Sequence, residues 1–217
     1  MHSHAHGALA HQFDNLDQQR EVASLGMWIF LVTEVLFFGG LFLTYAVYRG
    51  WYPQAFAAAS HELIVWAGTL NTVVLITSSL TMALAVHAAQ IGHRRALIAL
   101  LLVTMALGCV FLGVKAFEYW TEYLEHHVPG LGFQFEPEYF LHAQLFFSLY
   151  FIMTGVHALH MIIGLGIMAV MVWMSWHGRF TPEYYNPIEV SGLYWHFVDI
   201  VWIFLFPLLY LIGRHVH

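Results

Sequence analysis

Glu34 is the residue whose position in this sequence most needs a chemical explanation. It lies in the middle of an apolar run, Trp28–Gly40, that contains no basic residue. An ionisable group near the centre of a bilayer costs about 2.5–3.5 kcal/mol on insertion scales. Without a cation within a helical turn, desolvation favours the neutral acid, which can donate a hydrogen bond to a neighbouring helix or exchange protons. We therefore predict a buried carboxylate with either a structural role or a proton- or lipid-linked role.

Histidines on two later apolar segments form a second candidate. His157 and His160 share one helical face with Gly164, and His196 and Asp199 share a face of the last segment. Such residues could ligate a metal or a b-type haem, or they could hydrogen-bond one another between helices. Because so few imidazoles lie at membrane depth, we predict an interhelix polar seam and no metal site.

Lys115, Glu118 and Glu122 fall at positions i, i+3 and i+7, on one face of a helix. They lie toward one end of an apolar segment, where a lysine can extend its charged head to the membrane surface. We predict an interface ion pair between Lys115 and Glu118. No catalytic residue is predicted.

The composition identifies the environment in which these residues act. Of the 217 residues, 60% are hydrophobic and 9% charged, and the mean hydropathy is +0.67. In soluble domains about a quarter of the residues are charged. The much lower charged fraction of this chain, with its high hydropathy, predicts an integral membrane protein. A formal net charge of −6 with 7 basic residues argues against nucleic-acid binding. A single cysteine excludes an intrachain disulfide framework.

Five stretches are long enough to cross the hydrocarbon core, which takes about 20 helical residues. They contain Gly and Ala in continuous apolar runs, which favours helices over a closed barrel. We predict an all-α polytopic membrane protein, a bundle of five transmembrane helices in residues 23–217, after a polar cytoplasmic tail in residues 1–22. The predicted spans are residues 24–48, 63–87, 96–120, 139–176 and 190–213.

The distribution of arginines predicts an orientation. Four lie at the end of the bundle where the chain begins, and two at the other end. The positive-inside rule then places the N-terminus in the cytoplasm and His217 in the periplasm. The histidines of the tail are interpreted as part of a polar segment rather than a metal site, because nothing nearby would fix their geometry; they are His2, His4, His6 and His11.

Five segments, in the same order along the chain, resemble motifs of subunit III of haem-copper cytochrome c oxidases. They are Thr33-Glu34-Val35-Leu36-Phe37-Phe38, Leu70-Asn71-Thr72, Ala116-Phe117-Glu118-Tyr119, Gly155-Val156-His157-Ala158-Leu159-His160 and Trp195-His196-Phe197-Val198-Asp199-Ile200-Val201-Trp202. The first is similar to the segment that holds the family's carbodiimide-reactive glutamate, here Glu34. The pair of helices that begins the seven-helix mitochondrial form has no counterpart, so the chain resembles the five-helix bacterial form.

This resemblance implies a non-catalytic subunit in a bacterial inner membrane. The chain itself would carry no cofactor, while partner subunits I and II would carry haem and copper. Cytochrome c would interact only with those partners. The implied role in aerobic respiration is to stabilise the catalytic subunit, hold phospholipid and sustain proton uptake for pumping.

Other functions remain open at this point. The chain could serve a quinol oxidase or a complex associated with nitric oxide reductase. It could be an independent proton-coupled carrier, although the discontinuous helices or repeats expected around a midplane site are not evident. A stand-alone b-type cytochrome is disfavoured by the number of histidines.

Overall fold

Six helices make up nearly all of the computed structural model, which describes residues 15–130, 132–182 and 184–211. In chain order the helices are α1 (Leu16–Trp51), α2 (Pro53–Glu62), α3 (Val65–Gln90), α4 (Arg94–Leu124), α5 (Phe140–Trp176) and α6 (Asn186–Phe206), which continues into a π-helical turn (Pro207–Leu211). Four tail histidines of the sequence analysis (2, 4, 6 and 11), together with His217, lie outside the described residues.

Local sequence explains where the helices begin and end. The Asn15 side chain caps α1 by accepting a hydrogen bond from the Gln18 backbone N–H at 2.8 Å. Pro53 starts α2, where its fixed φ suits the first turn and its missing N–H costs nothing. Gly92 and Gly178, with φ of 73° and 69°, follow α3 and α5 in the left-handed conformation that glycine adopts most easily.

The predicted all-α architecture with five spans is confirmed. The five long helices, all but α2, are each apolar enough and long enough to cross a membrane. They extend beyond most predicted limits; α1, for example, begins at Leu16 rather than at residue 24. Helix α2 was not predicted, because its sequence of small residues lacks a strong apolar period.

Helix α6 lies at the centre of the bundle and packs against α1, α3 and α5. The seven-residue spacing of Trp195 and Trp202 suggests one outward or partner-facing stripe, but both side chains are fully buried within this chain, so that expectation is wrong. Trp195 fits between Gly108 of α4 and Gly164 of α5, where an added Cβ would lie 2.9 Å from the indole ring. Glycines on neighbouring helices therefore create the space for a large ring inside the bundle.

The π-helical turn is held by side chains from α1 and α2. Pro207 lacks the N–H that would continue the helical ladder. Tyr45 donates its hydroxyl to the Leu208 carbonyl at 2.8 Å, and Ser60 donates to the Leu209 carbonyl at 2.8 Å. These bonds satisfy carbonyls released at the turn and dock α2 on the bundle, and the turn points Tyr210 into the interior.

Candidate functional site

Glu34 lies near the middle of α1 and contacts α5. Its Oε2 atom is 3.1 Å from Nε2 of His160, and the two side chains are 18% and 13% exposed. The contact agrees with the expectation that Glu34 hydrogen-bonds a neighbouring helix, but the expectation of a buried carboxyl group is wrong, because the side chain is only partly buried. The two residues are 126 positions apart in the sequence, so no local pattern indicated that they would pair.

The hydrogen bonds of His160 determine how many protons the pair holds. Its Nδ1 lies 2.9 Å from the Val156 carbonyl, which can only accept, so Nδ1 carries a hydrogen. The contact between Nε2 and Glu34 then requires one more proton, which lies either on the carboxyl group or on the imidazole ring. Glu34 and His160 can therefore share and exchange one proton over a short distance.

Aromatic rings surround this pair on the side facing the bundle. Phe38 lies 5.4 Å from the His160 ring between centroids, and the Tyr194 hydroxyl donates to the His160 carbonyl at 2.9 Å. On the other side, Val35 and Phe37 of α1 are exposed. The Glu34–His160 pair thus lies at mid-depth in the span, just beneath the outer surface of the bundle.

Lys115 and Glu118 form a buried cluster. Lys115 Nζ donates to Glu118 Oε2 at 2.9 Å and to the hydroxyls of Tyr150 and Tyr210 at 3.0 Å each. The Tyr210 hydroxyl donates to the second Glu118 oxygen at 2.5 Å. Lys115 is 3% exposed and Glu118 fully buried, so the expectation that the lysine extends to the membrane surface is wrong. The spacing indicated the two partners, but not the tyrosines that enclose them.

The four residues of the predicted polar seam do not hydrogen-bond one another. His160 contacts Glu34, and the Nδ1 atom of His196 lies 2.7 Å from the Ser79 hydroxyl on α3. His157 is enclosed by the Phe111 and Trp202 rings, and neither of its nitrogens has a hydrogen-bond partner among the described residues. The four residues therefore do not form one seam, and they lie at separate positions in the bundle.

A cluster that sequence reasoning missed lies where α4 ends. His127 Nδ1 donates to Glu122 Oε2 at 2.8 Å, and Glu125 lies 3.6 Å from the same nitrogen. The hydrogen bond to Glu122 is the main cause that raises the pKa of His127 above its usual value. These three side chains could offer metal ligands within 4.8 Å of one another. The sequence pattern that could have indicated this cluster is a pair of glutamates three residues apart, followed closely by a histidine.

A cavity of about 940 Å³ opens at the opposite end of the bundle, beside the start of α4. The Arg94 guanidinium donates to the carbonyls of Ser175 and Trp176, which ties α4 to the end of α5. His93 and Arg95 are exposed at the cavity, and its remaining lining is mainly apolar. The cavity therefore combines cationic groups with an apolar wall.

Fold and sites together define a polytopic membrane protein with ionisable groups inside or just beneath the bundle surface, among them the Glu34–His160 and Lys115–Glu118 pairs. The family described as cytochrome c oxidase subunit III matches residues 11–214. Cytochrome c oxidase subunit 3 of Thermostichus vulcanus is 33% identical over 93% of this chain and 92% of its own length. Quinol oxidase subunit 3 of Bacillus spizizenii is 33% identical over 87% of this chain and 86% of its own. The chain belongs to the cytochrome c oxidase subunit III family.

Membership explains the five ordered segments of the sequence analysis and makes the chain a subunit III of the haem-copper oxidases. The mammalian relative from Papio hamadryas is 30% identical, and the match covers 85% of this chain and 67% of that protein. Membership also implies assembly with other oxidase subunits in a membrane.

Proposed function

We propose that this chain serves a bacterial cytochrome c oxidase as a non-catalytic subunit that sustains proton uptake. The observation that carries this proposal is the 3.1 Å contact between Glu34 and His160 at mid-depth beneath the bundle surface. A carboxyl group and an imidazole in this arrangement can take up and release a proton with little movement. Haem and copper reside in subunits I and II, and cytochrome c reaches only those subunits.

The test uses the purified oxidase complex with Glu34→Gln and His160→Gln variants. A protonated carboxyl group adds its oxygen to the carbon of a hydrophobic carbodiimide and gives its proton to a carbodiimide nitrogen. This reagent should therefore label Glu34 ahead of the other carboxylates, and Glu34→Gln should abolish that labelling. Glu189→Gln, at the start of α6, is the control that should leave labelling unchanged.

Activity separates a proton-linked role from a structural one. Both pair variants should leave initial oxygen consumption nearly intact, while lowering pumping efficiency or shortening the active lifetime. A complex with normal subunit content, normal pumping and normal lifetime in both variants would refute the proton-linked role. Loss of this subunit from the complex with no other change would indicate that the pair only supports assembly.

Quinol is the second candidate electron donor for the complex, because a quinol oxidase subunit 3 is among the similar proteins. Oxygen consumption by the purified complex with reduced cytochrome c or with a quinol distinguishes the two donors. Turnover with cytochrome c supports the proposal, and turnover with quinol alone supports the alternative.

A phospholipid is proposed to bind in the cavity beside the start of α4. Arg95, Ile98 and Leu102 follow one another on one face of α4, so a phosphate at the guanidinium would leave an acyl chain along the apolar side chains. Arg95→Gln should remove one tightly bound anionic phospholipid, measured by mass spectrometry of the intact complex. Arg49→Gln, at the far end of α1, is the matched control and should keep it.

The proposed location is the bacterial inner membrane, with the N-terminus in the cytoplasm. The start of α1 and the loop between α5 and α6 lie at one end, where Arg20 stacks over Tyr185 at 4.7 Å. Arg94 and Arg95 lie at this same end, which the positive-inside rule assigns to the cytoplasm. A reporter active only in the cytoplasm, fused after His217, should be silent, and strong activity would reverse the orientation.

A further inference from the structure

A pocket between α3 and α6 contains polar groups that the proposed function does not use. Its volume is about 390 Å³, and most of its lining is apolar. The polar lining residues are Ser79 of α3 with His196 and Asp199 of α6. Small apolar pockets with a few convergent polar groups are typical of specific binding sites.

Asp199 is the group in this pocket that lacks a partner. It is 2% exposed, and neither carboxyl oxygen has a hydrogen-bond partner among the described residues. The Ser79 hydroxyl lies beside Asp199 and contacts His196 Nδ1 at 2.7 Å, and its single hydrogen can satisfy at most one of the two carboxyl oxygens. A buried carboxyl group without a hydrogen bond is strongly unfavourable. A donor from outside this chain would remove that penalty.

The depth of the pocket restricts what can supply the donor. Asp199 lies at the middle of the helical segment from Asn186 to Leu211, and Ser79 lies near the middle of α3. In a hydrocarbon core about 30 Å thick, this position is roughly 15 Å from either headgroup layer. A phospholipid headgroup does not reach that depth, whereas a side chain on a membrane-spanning helix is held there.

The rim of the pocket suits such a helix. Ile76 and Leu80 of α3 are 54% and 60% exposed, and Ile200 and Ile203 of α6 are 50% and 45% exposed. Ile76 and Leu80 form one ridge along α3, Ile200 and Ile203 form another along α6, and the small side chain of Ala83 also lines the pocket. Ridges of this kind pack against the side chains of a neighbouring helix.

We propose that a membrane-spanning helix of another oxidase subunit packs against this α3–α6 groove and donates a hydrogen bond to Asp199. The donor is a hydroxyl, an indole N–H or a basic side chain at the middle of that helix. This inference rests on the proposed function, because it requires the chain to assemble in an oxidase.

Photo-crosslinking in the intact, purified complex tests the groove directly. A benzophenone amino acid replaces Ile203 in one variant and Ile163, an exposed residue of α5, in a control variant. The probe at residue 203 should join a peptide of another oxidase subunit that contains a donor side chain, at a yield at least tenfold above the control. Adducts with lipid alone at residue 203, including a hydroxylated lipid, would overturn the proposal.

Substitution of Asp199 tests the hydrogen bond. Asp199→Leu should lower the fraction of this subunit retained in the detergent-purified complex about tenfold, while Asp199→Asn, which still accepts a hydrogen bond, should retain most of it. Size-exclusion elution of each variant chain checks that it remains folded. Equal retention of the wild type and both variants would overturn the inference but leave the proposed function intact. A wild-type chain that never co-purifies with an oxidase would instead overturn the proposed function.

Discussion

The Lys115 cluster and the Asp199 pocket bury ionisable groups in opposite ways. Around Lys115, one carboxylate, two tyrosine hydroxyls and four aromatic rings at 4.8–5.8 Å satisfy the ammonium entirely within the chain. Asp199, equally buried, receives no hydrogen bond from the described residues. A satisfied cluster stabilises the fold, whereas an unsatisfied carboxyl group points to a contact outside the chain.

The largest effect is expected from breaking the satisfied cluster. Lys115→Met keeps the length of the side chain but leaves the Glu118 carboxylate buried without its cation. Loss of one partner of a buried ion pair typically costs 3–5 kcal/mol, so we expect destabilisation of about 4 kcal/mol. Thermal unfolding of the detergent-solubilised complex, with the amount of subunit in the membrane, measures this.

The matched control for this substitution removes both charges. In Lys115→Met with Glu118→Gln, the amide still accepts a hydrogen bond from Tyr210, and no net charge is buried. This double variant should recover at least half of the lost stability. A double variant as unstable as Lys115→Met would show that the cost comes from packing rather than from the unpaired carboxylate.

The contrast between these two regions also shows how far the sequence predicts the site. Lys115 and Glu118 are three residues apart on one helix, so helical periodicity alone indicates their pairing. Tyr150 and Tyr210 reach the same cluster from α5 and from the π-helical turn, and no local pattern links them to it. Contacts of that kind depend on tertiary packing.

The five spans were predictable because the hydrocarbon core sets their length and composition. The inward position of Trp195 was not predictable from the sequence, because the side that a helix presents to its neighbours depends on where those neighbours have space. Here the space is made by Gly108 and Gly164, on two other helices. The partner of Glu34 was unpredictable for a similar reason, since α1 and α5 are far apart in the sequence.

The packing of Trp195 affects the Asp199 pocket, because α6 carries both side chains. Gly164→Leu would force the indole out of its position, since a Cβ there already lies 2.9 Å from the ring. Overpacking of this kind costs about 1–3 kcal/mol, and it should displace α6 and lower retention of the subunit. Gly166→Leu is the matched control, because no atom lies within 4 Å of its added Cβ, and it should keep wild-type stability.

Unlike the loss of Lys115, the loss of the Asp199 carboxyl group should stabilise the chain when it is studied without its partner subunits. Asp199→Leu removes a carboxyl group that the chain leaves without a hydrogen bond, so the isolated subunit in detergent should gain about 1 kcal/mol. The same variant should be poorly retained in the complex. Destabilisation of the isolated subunit by more than about 1 kcal/mol would mean that Asp199 has a partner inside this chain.

The smallest effect is expected at the His127–Glu122 pair, where α4 ends and the exposed Glu125 lies beside the imidazole. The His127 imidazolium donates to Glu122, and Glu125 and Glu62 also favour its protonated form, so its folded-state pKa lies above the unfolded value of about 6.5. The pair therefore contributes its full stability below about pH 6.5 and loses it as the pH rises through the folded-state pKa. Because the exposed Glu125 beside the pair is screened by solvent, we expect a loss of at most about 1 kcal/mol.

Thermal inactivation of the complex between pH 6 and pH 9 measures this loss. His127→Gln cannot titrate, so its midpoint should change less with pH over this range than that of the wild type. His126→Gln, which alters the exposed neighbouring residue, is the matched control and should follow the wild type. If His127→Gln kept the full wild-type slope, the pH dependence would have to come from another group. A loss much larger than about 1 kcal/mol would mean that this loop excludes water as the Lys115 cluster does.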